Sequence, residues 1–488
     1  MINLGKGSVS AVKWGTVTTL ARFSMQLLAQ VVLARILGPD NYGIFGIGLI
    51  AYTFSTFIAN FGFGWSLQQR ETVHEEDIRF AFTWQIIVGL IATTALYLLA
   101  PACADYFHEP RALPVIQWLS IGCLISAAAS PAGSLLQRDL NFRILGLIQV
   151  VSYASGYLLI GIPLALMDFG ANALLAAWLT QMSMASLGNF LARRHSLKPL
   201  FWYGDAKSSL GIGGTVFLTN ITNWFLNNLD RILIGRLMNA QSVGLYTAGY
   251  NVATMPNALL LGALQPAFLS AGARLQSDHQ RLGQAYIQIL ATILIIVLPF
   301  FVFLSAISPQ LVQLLYGPKW LETGWVLAIL FLAMPAYVTC GLSTPVLWNT
   351  GRKHYEFLLQ LPILAVGVIA FNLFAARGIH IAAAIAAGIL LLRAAVIGFA
   401  ATRALHISLA ALVPDLLRGS TLAAVCAFGA LLGQWLTSEL ALPIASLLAS
   451  GSIALLLSLA LVFAYPKILG LSARAMILRF APKISRFI

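Results

Sequence analysis

Residues 34–45 read Ala-Arg-Ile-Leu-Gly-Pro-Asp-Asn-Tyr-Gly-Ile-Phe, and residues 235–246 read Gly-Arg-Leu-Met-Asn-Ala-Gln-Ser-Val-Gly-Leu-Tyr. Each stretch ends one long apolar run and opens the next, and the two align without gaps at an offset of 201 residues. The matching positions are Arg35 with Arg236, Gly43 with Gly244, and Phe45 with Tyr246; Pro131 and Arg138 likewise match Pro345 and Arg352 at an offset of 214. The repeat predicts a chain built from two copies of one unit.

The composition assigns those apolar runs to a membrane. Of the 488 residues, 59% are hydrophobic and only 9% are charged, whereas a soluble domain has about 25% charged residues. So few charges cannot cover a water-soluble surface of this size. The formal net charge of +13 is therefore interpreted as loop charge on a polytopic membrane protein. The composition excludes a soluble enzyme and a nucleic-acid binder, and the four scattered cysteines exclude a disulfide-rich secreted scaffold.

The apolar runs predict an all-α protein with about fourteen transmembrane helices, because one span needs about 20 mostly apolar residues. The predicted spans are 9–37, 41–69, 78–100, 112–136, 143–167, 170–192, 208–236, 242–272, 282–306, 321–350, 355–376, 379–402, 414–437 and 441–465.

The repeat and the spans together predict the domain organisation. Spans 1–6 and 7–12 form two pseudo-symmetric six-helix lobes, related by an axis along the membrane normal, and two C-terminal helices follow. The predicted segments are the first lobe at 1–195, a cytoplasmic inter-lobe loop at 196–207, the second lobe at 208–403, spans 13 and 14 at 414–465, and a basic amphipathic cytoplasmic tail at 466–488.

Lysine and arginine lie mostly in the loops on one side of the predicted helices, the side that also carries both termini. The positive-inside rule places that side in the cytoplasm. The cluster Phe201-Trp202-Tyr203 in the inter-lobe loop is typical of an interfacial aromatic anchor. The tail, with five basic and no acidic residues after 466, is expected to lie on the anionic cytoplasmic leaflet. The acidic run His74–Asp77 is interpreted as a solvated turn.

Polar side chains inside predicted spans are the candidate functional residues, because an ionisable group there costs about 2.5–3.5 kcal/mol and usually faces a cavity or a partner. Span 1 carries one polar helical face and span 7 another, and the two faces correspond under the repeat. Their residues are Arg22, Gln26 and Gln30 in span 1, and Asn220, Asn223, Asn227 and Asp230, flanked by Asn228 and Arg231, in span 7. Arg393 adds a third in-span base.

Two interpretations of these faces remain open. Polar side chains can simply join transmembrane helices, or the two faces can line a shared hydrophilic cavity. With three arginines and Asp230 as the only acid that falls within an apolar run, such a cavity would be cationic and would favour an anionic cargo. Asp230 is also the candidate for coupling to H⁺ or Na⁺. No phosphate-binding loop, metal-ligand spacing or catalytic constellation is visible, which predicts neither an enzyme nor a cofactor.

Three motifs resemble those of the polysaccharide transporter family, the Wzx-type O-antigen and exopolysaccharide flippases. Leu33–Pro39 with Tyr42-Gly43 is similar to the opening signature, and Asp230–Gly235 followed by Gly244-Leu245-Tyr246 is similar to its second-lobe counterpart. Gln137–Phe142 resembles a motif of the colanic-acid branch.

This resemblance implies the fold of the multidrug/oligosaccharidyl-lipid/polysaccharide exporter superfamily, and alternating access that moves undecaprenyl-pyrophosphate-linked oligosaccharide to the outer leaflet. Pyrophosphate suits Arg22, Arg35, Arg231 and Arg393, because a guanidinium offers several directed donors. The expected setting is the bacterial inner membrane, where the chain acts as a monomer among membrane lipids, with a polysaccharide polymerase as candidate partner.

The alternatives within the superfamily are a peptidoglycan-precursor (lipid II) flippase and a multidrug cation antiporter. The antiporter predicts twelve spans and an acidic or aromatic cavity. A membrane enzyme such as a glycan polymerase is a further alternative, which would need a large outward loop or buried acid–base chemistry.

Overall fold

The computed structural model describes residues 4–59, 67, 72–204, 214–274, 278–440, 442–470 and 474, with side chains from 21 onward in the first helix. Every predicted segment has a part outside the described residues: 1–3, 60–66 and 68–71 of the first lobe, 205–207 of the inter-lobe loop, 208–213 and 275–277 of the second lobe, 441 of spans 13 and 14, and all of the tail beyond 470 except 474.

The regular secondary structure of the described residues is helical. Its long helices are α1 (Leu4–Ala59), α2 (Glu75–Tyr106), α3 (Ala112–Arg138), α4 (Phe142–Leu166), α5 (Ala171–Ala192), α6 (Gly214–Leu237), α7 (Ala240–Arg274), α8 (His279–Tyr316), α9 (Leu321–Asn349), α10 (Lys353–Phe374), α11 (Ile379–Ala404), α12 (Val413–Leu436) and α13 (Pro443–Ala464). Within the described ranges, nine helices are long and apolar enough to cross a membrane. The predicted class, an all-α polytopic membrane protein, is confirmed.

The first helix bends where the sequence predicts the boundary between spans 1 and 2. Gly38 has φ 73° and ψ 173°, a non-helical conformation inside Leu4–Ala59. Glycine reaches a positive φ without steric cost, and the following Pro39 has no backbone N–H to continue the helical ladder. α1 therefore contains the predicted span 1 and the first part of the predicted span 2, and the corresponding break in the second repeat lies at Met238–Asn239, between α6 and α7.

The chain divides into two compact units. Unit 1 contains Met1–Phe217 and Gly235–Gly244, and unit 2 contains Leu218–Ile234 and Leu245–Ile488. The end of α6 and the start of α7 thus belong with the first half of the chain. The interior of unit 2 is built around α9, whose Val326, Leu327 and Val338 are fully buried.

Two glycines that the repeat pairs with each other lie in one close crossing in unit 1. A Cβ on Gly43 would lie 1.6 Å from the carbonyl oxygen of Ala240, and a Cβ on Gly244 would lie 1.9 Å from the carbonyl oxygen of Pro39. Pro39 and Ala240 are separated by the same 201 residues as the glycines. The start of the second helix in each repeat therefore packs backbone to backbone against its counterpart, which only glycine permits at these positions.

An ion-pair network adjoins this crossing through Asp40. Arg111 donates hydrogen bonds to Glu109 (2.7 Å) and to Asp40 (2.7 Å). These bonds raise the pKa of Arg111 above its ordinary value, and the bond to Glu109 contributes more than the bond to Asp40. The guanidinium therefore stays charged.

The segment after α5 lies along the first turns of α2. Tyr203 donates a hydrogen bond to the carboxylate of Asp77, Trp84 donates to the Phe201 carbonyl (3.1 Å), and the Leu200 N–H donates to Thr83 Oγ1 (2.9 Å). Phe201 and Trp202 are both exposed, as the anchor interpretation predicts.

The prediction of a solvated turn at His74–Asp77 is wrong for its last residue. Asp77 is only 2% exposed, and it also accepts the His74 N–H (2.8 Å), so that it caps the start of α2. Glu75 and Glu76 are exposed. Asp77 lies at the third helical position, from which its carboxylate reaches both the helix end and the segment after α5.

Candidate functional site

The polar face predicted on span 7 forms a hydrogen-bonded cluster in unit 2. Arg393 of α11 donates one hydrogen bond to Asn227 Oδ1 (2.9 Å) and another to Asn223 Oδ1 (2.5 Å). Both asparagines lie on α6, one helical turn apart, so their amides point the same way. The Nε of Arg393 is buried and has no hydrogen-bond partner among the described residues.

Asp230 lies one turn further along α6 and is 8% exposed. It accepts a hydrogen bond from the Tyr246 hydroxyl (2.5 Å), and the Arg231 Nε lies 3.8 Å from its other oxygen. Arg231 in turn donates to the Asn227 carbonyl (2.7 Å) and lies over the Tyr250 ring. Asp230 therefore has a cation beside it on its own helix.

Glu356, on the first turn of α10, is a functional candidate that sequence analysis missed. It is 2% exposed and accepts hydrogen bonds from Trp348 Nε1 (2.7 Å), Asn223 Nδ2 (3.2 Å) and Gln360 Nε2 (3.2 Å). The expectation that Asp230 is the only buried acid is thus wrong. In the sequence, Glu356 comes just after Arg352, Lys353 and His354, a position that is typical of an acid in a loop. Gln360, one helical turn later, is the one sequence feature that indicates a polar face here.

This second acid changes the charge balance of the cluster. Two arginines, Arg231 and Arg393, lie with two acids, Asp230 and Glu356, in one network of α6, α10 and α11. The formal charge of the unit 2 cluster is therefore zero, and the predicted excess of three arginines over one acid does not describe it. Arg22, the remaining in-span arginine, lies in unit 1.

A small cavity with both polar and apolar lining adjoins the cluster. Its volume is about 40 Å³, and its lining includes Asn227, Asp230, Tyr246, Tyr250 and Arg393. A water molecule takes up about 30 Å³ in the liquid, so this cavity is the size of a water site and is far smaller than a sugar.

The polar face of span 1 lies on α1 in unit 1. Arg22 donates to Gln149 Oε1 of α4 (2.8 Å), a partner that sequence analysis missed, and the buried Nε of Arg22 has no hydrogen-bond partner among the described residues. The Gln30 side-chain Nε2 is likewise buried without one. Gln26 is half-buried, and Arg35 lies on an exposed part of the same helix.

The structure thus brings Asn223, Asn227, Asp230, Arg231 and Arg393 together in unit 2, and it places Arg22, Gln26, Gln30 and Arg35 on α1 of unit 1. The cavity shared by both faces stays a prediction. One feature is common to the two sites: Arg22 and Arg393 are held by neutral amide oxygens, and carboxylates do not contact them directly among the described residues.

A family model described as "Polysaccharide biosynthesis protein" matches residues 32–324. The match covers more than half of the chain and includes both repeat motifs. The chain belongs to this family. The predicted resemblance to polysaccharide transporters is thereby confirmed at the level of the family.

Two relatives and one solved structure extend this result. The chain is 24% identical to the lipopolysaccharide biosynthesis protein WzxC of Escherichia coli (strain K12) over 65% of each chain, slightly less than two thirds of WzxC. It is 23% identical to the succinoglycan biosynthesis transport protein ExoT of Rhizobium meliloti (strain 1021), over 74% of this chain and 73% of ExoT. Its fold is similar to that of the lipid II flippase MurJ in an inward closed conformation, with a TM-score of 0.74, 14% identity and coverage of 92% of this chain and 99% of MurJ.

Proposed function

We propose that this member of the polysaccharide biosynthesis family is a flippase and not an enzyme. It moves undecaprenyl-pyrophosphate-linked oligosaccharide repeat units from the cytoplasmic to the periplasmic leaflet by alternating access, for O-antigen, capsule or exopolysaccharide synthesis. The observation that carries the proposal is the pair of in-span arginines, Arg22 and Arg393. Each is held by amide oxygens, and each has a buried Nε without a hydrogen-bond partner in the part of the chain that the structure describes.

Amide oxygens are weak partners for a guanidinium. An amide oxygen carries no net charge, whereas a pyrophosphate oxygen adds the attraction of an ion pair and can bind a guanidinium in a bidentate geometry. A pyrophosphate would therefore compete well against Gln149 for Arg22 and against Asn223 and Asn227 for Arg393. The displaced amides would then be available to sugar hydroxyls, since an amide both donates and accepts. The two sites therefore suit an anionic headgroup that carries a glycan.

The setting follows from the same reasoning. We place the chain in the bacterial inner membrane with both termini in the cytoplasm, acting as a monomer, with the lipid tail of the cargo in the bilayer and a polysaccharide polymerase as partner. Transport is coupled to a gradient of H⁺ or Na⁺, for which unit 2 offers two buried acids, Asp230 and Glu356.

Lipid II is the second candidate cargo. The observation that favours it is the fold similarity to the MurJ flippase over 92% of this chain. The named relatives WzxC and ExoT belong to lipopolysaccharide and succinoglycan synthesis, and they favour an oligosaccharide repeat unit. A multidrug cation antiporter is disfavoured by the arginines, which would repel a cationic cargo.

Replacement of Arg22 tests the proposal. Arg22→Ala should abolish surface polysaccharide in a strain that lacks the native gene, while the amount of protein in the membrane stays normal. Arg22→Lys should restore only part of the export, because an ammonium cannot reproduce the forked donors. The measurement is lipid-linked glycan accessible from the periplasm, together with surface polysaccharide.

The matched control is Arg281→Ala, which removes a highly exposed arginine whose described partner is a surface ion pair with Asp278. It should leave export unchanged, since surface ion pairs contribute little. Full export by a normally expressed Arg22→Ala chain would remove Arg22 from cargo binding.

A further inference from the structure

Glu356 is held by neutral donors only, among the residues that the structure describes. The indole N–H of Trp348, the amide of Asn223 and the amide of Gln360 account for its contacts. A buried carboxylate without an adjacent cation depends on its surroundings for charge compensation, because burial removes the water that would otherwise stabilise the charge. The nearest compensating charge in the network is Arg393, one amide group away.

Asn223 connects the two charges directly. Its Oδ1 accepts from Arg393 (2.5 Å) and its Nδ2 donates to Glu356 (3.2 Å). The two ends of one amide therefore face opposite charges, and its orientation is set by both. Any change in the charge at one end alters the electrostatic free energy at the other.

An anion bound at Arg393 would offset the positive charge that stabilises ionised Glu356. Binding of the anion would therefore favour protonation of Glu356, and by reciprocity protonation of Glu356 would strengthen anion binding at Arg393. We propose that Glu356 is the acid that binds a proton when the anionic headgroup binds at Arg393. This inference rests on the proposed function and assigns its proton coupling to a residue.

Asp230 is less suited to this role. The Arg231 Nε lies 3.8 Å from its carboxylate, the Arg231 backbone N–H donates to it (2.8 Å), and Tyr246 donates to its other oxygen. Its counter-charge is on the neighbouring residue of the same helix and stays there whatever binds at Arg393.

The groups that face Glu356 from each neighbouring helix are few. α6 contributes Asn223, α11 contributes Arg393, and α9 contributes Trp348 and Cys340, whose thiol interacts electrostatically with both Glu356 and Arg393. On its own segment Gln360 follows it, Arg352 precedes α10, and Lys353 and His354 lie in the first turn of α10.

Calorimetric titration of the purified full chain in neutral detergent tests the inference, with farnesyl pyrophosphate as the probe. Titrations in two buffers of different ionisation enthalpy give the number of protons taken up per ligand bound. The ligand's own protonation contributes equally in all variants. The decisive quantity is therefore the difference between wild type and Glu356→Gln in the number of protons taken up per ligand bound. The wild-type chain should take up more protons per ligand than Glu356→Gln. Its affinity for the ligand should also fall more steeply as the pH rises, with the difference reaching up to about tenfold per pH unit.

Glu356→Gln should lose the extra uptake and show the pH dependence of the ligand alone. Asp230→Asn and the exposed-acid control Glu322→Gln should both retain it. Because Glu356→Gln could disturb the cluster, Trp348→Phe supplies a second test: it removes one hydrogen-bond donor to the carboxylate, and the number of extra protons taken up per ligand should differ from the wild-type value at the same pH.

The outcomes separate the two proposals. Equal proton uptake by wild type and Glu356→Gln, or loss of the uptake in Asp230→Asn alone, would overturn the assignment to Glu356 while leaving the flippase proposal in place. Unchanged proton uptake in Trp348→Phe would also contradict the assignment. Absence of farnesyl pyrophosphate binding to the wild-type chain would contradict pyrophosphate as the cargo headgroup, and the inference with it.

Discussion

At the scale of single residues, His195 is a titratable group that is partly buried between aromatic rings. Its ring packs edge-on against Phe82 and Phe190, at centroid distances of 5.2 and 5.4 Å, and its Nε2 is buried without a hydrogen-bond partner among the described residues. Burial lowers the pKa of His195, and the neighbouring Arg193 lowers it further, against an opposing contribution from the Ser196 carbonyl. The neutral ring is therefore the form that fits this packing.

The lowered pKa of His195 determines how the stability of this segment depends on pH. A base whose pKa is lower in the folded state binds fewer protons folded than unfolded, so its packing is fully stable above the ordinary histidine pKa, about 6.5, and weakens as the pH falls below it. We expect the backbone amides of 195–203 to lose protection from hydrogen exchange as the pH falls from about 6.5 to about 5, after correction for the intrinsic exchange rate.

His195→Phe keeps an aromatic ring at this position and removes the titration. In this variant the protection of the segment should be independent of pH over the same range. Protection in the wild-type chain that stays constant or rises on acidification would contradict the packing of a neutral ring.

At the scale of helices, the crossing of Gly43 and Gly244 fixes how the second helix of each repeat begins. We expect Gly43→Ala to lower the thermal midpoint of the detergent-solubilised chain by several degrees, because its Cβ would lie 1.6 Å from a backbone oxygen that cannot rotate away. Overpacking of this kind costs roughly 1–3 kcal/mol or more. The measurement is a fluorescence-detected melt of the purified protein.

Gly262→Ala, in the same helix as Gly244, is the matched control. Among the described residues, no atom beyond the adjacent backbone of its own helix lies within 4 Å of a Cβ built at Gly262, and alanine is the better helix former by about 1 kcal/mol. Its melting midpoint should equal or exceed that of the wild type. An equal effect of the two substitutions would show that loss of a glycine, and not the crossing, determines the result.

At the scale of the whole molecule, the distribution of lysine and arginine predicts the topology. Reporter fusions after Ser196 and within Arg352–His354 should be cytoplasmic, and a fusion within Asp105–Arg111 should be periplasmic, because basic loops are retained on the cytoplasmic side. Paired alkaline phosphatase and green fluorescent protein fusions measure this. A periplasmic inter-lobe loop would contradict both the orientation and the predicted order of spans.

The class of the protein and the positions of most helices could be predicted from the sequence, because both depend on local composition and on the spacing of apolar residues. The sequence alone shows the apolar runs, the break at Gly38-Pro39 and the offset that pairs Gly43 with Gly244. The same holds for the polar face of span 7, since residues three and four apart share one side of a helix. The family resemblance rested on these same short motifs.

The contacts of the charged side chains could be found only in the tertiary structure. Gln149 lies 127 residues from Arg22, and Glu356 lies 133 residues from Asn223, so no local pattern could pair them. Glu356 follows a basic turn and is typical of a solvated acid in sequence, yet packing of α6, α9, α10 and α11 buries it. Burial and counter-charge depend on distances between helices, and a helical period contains no information about those distances.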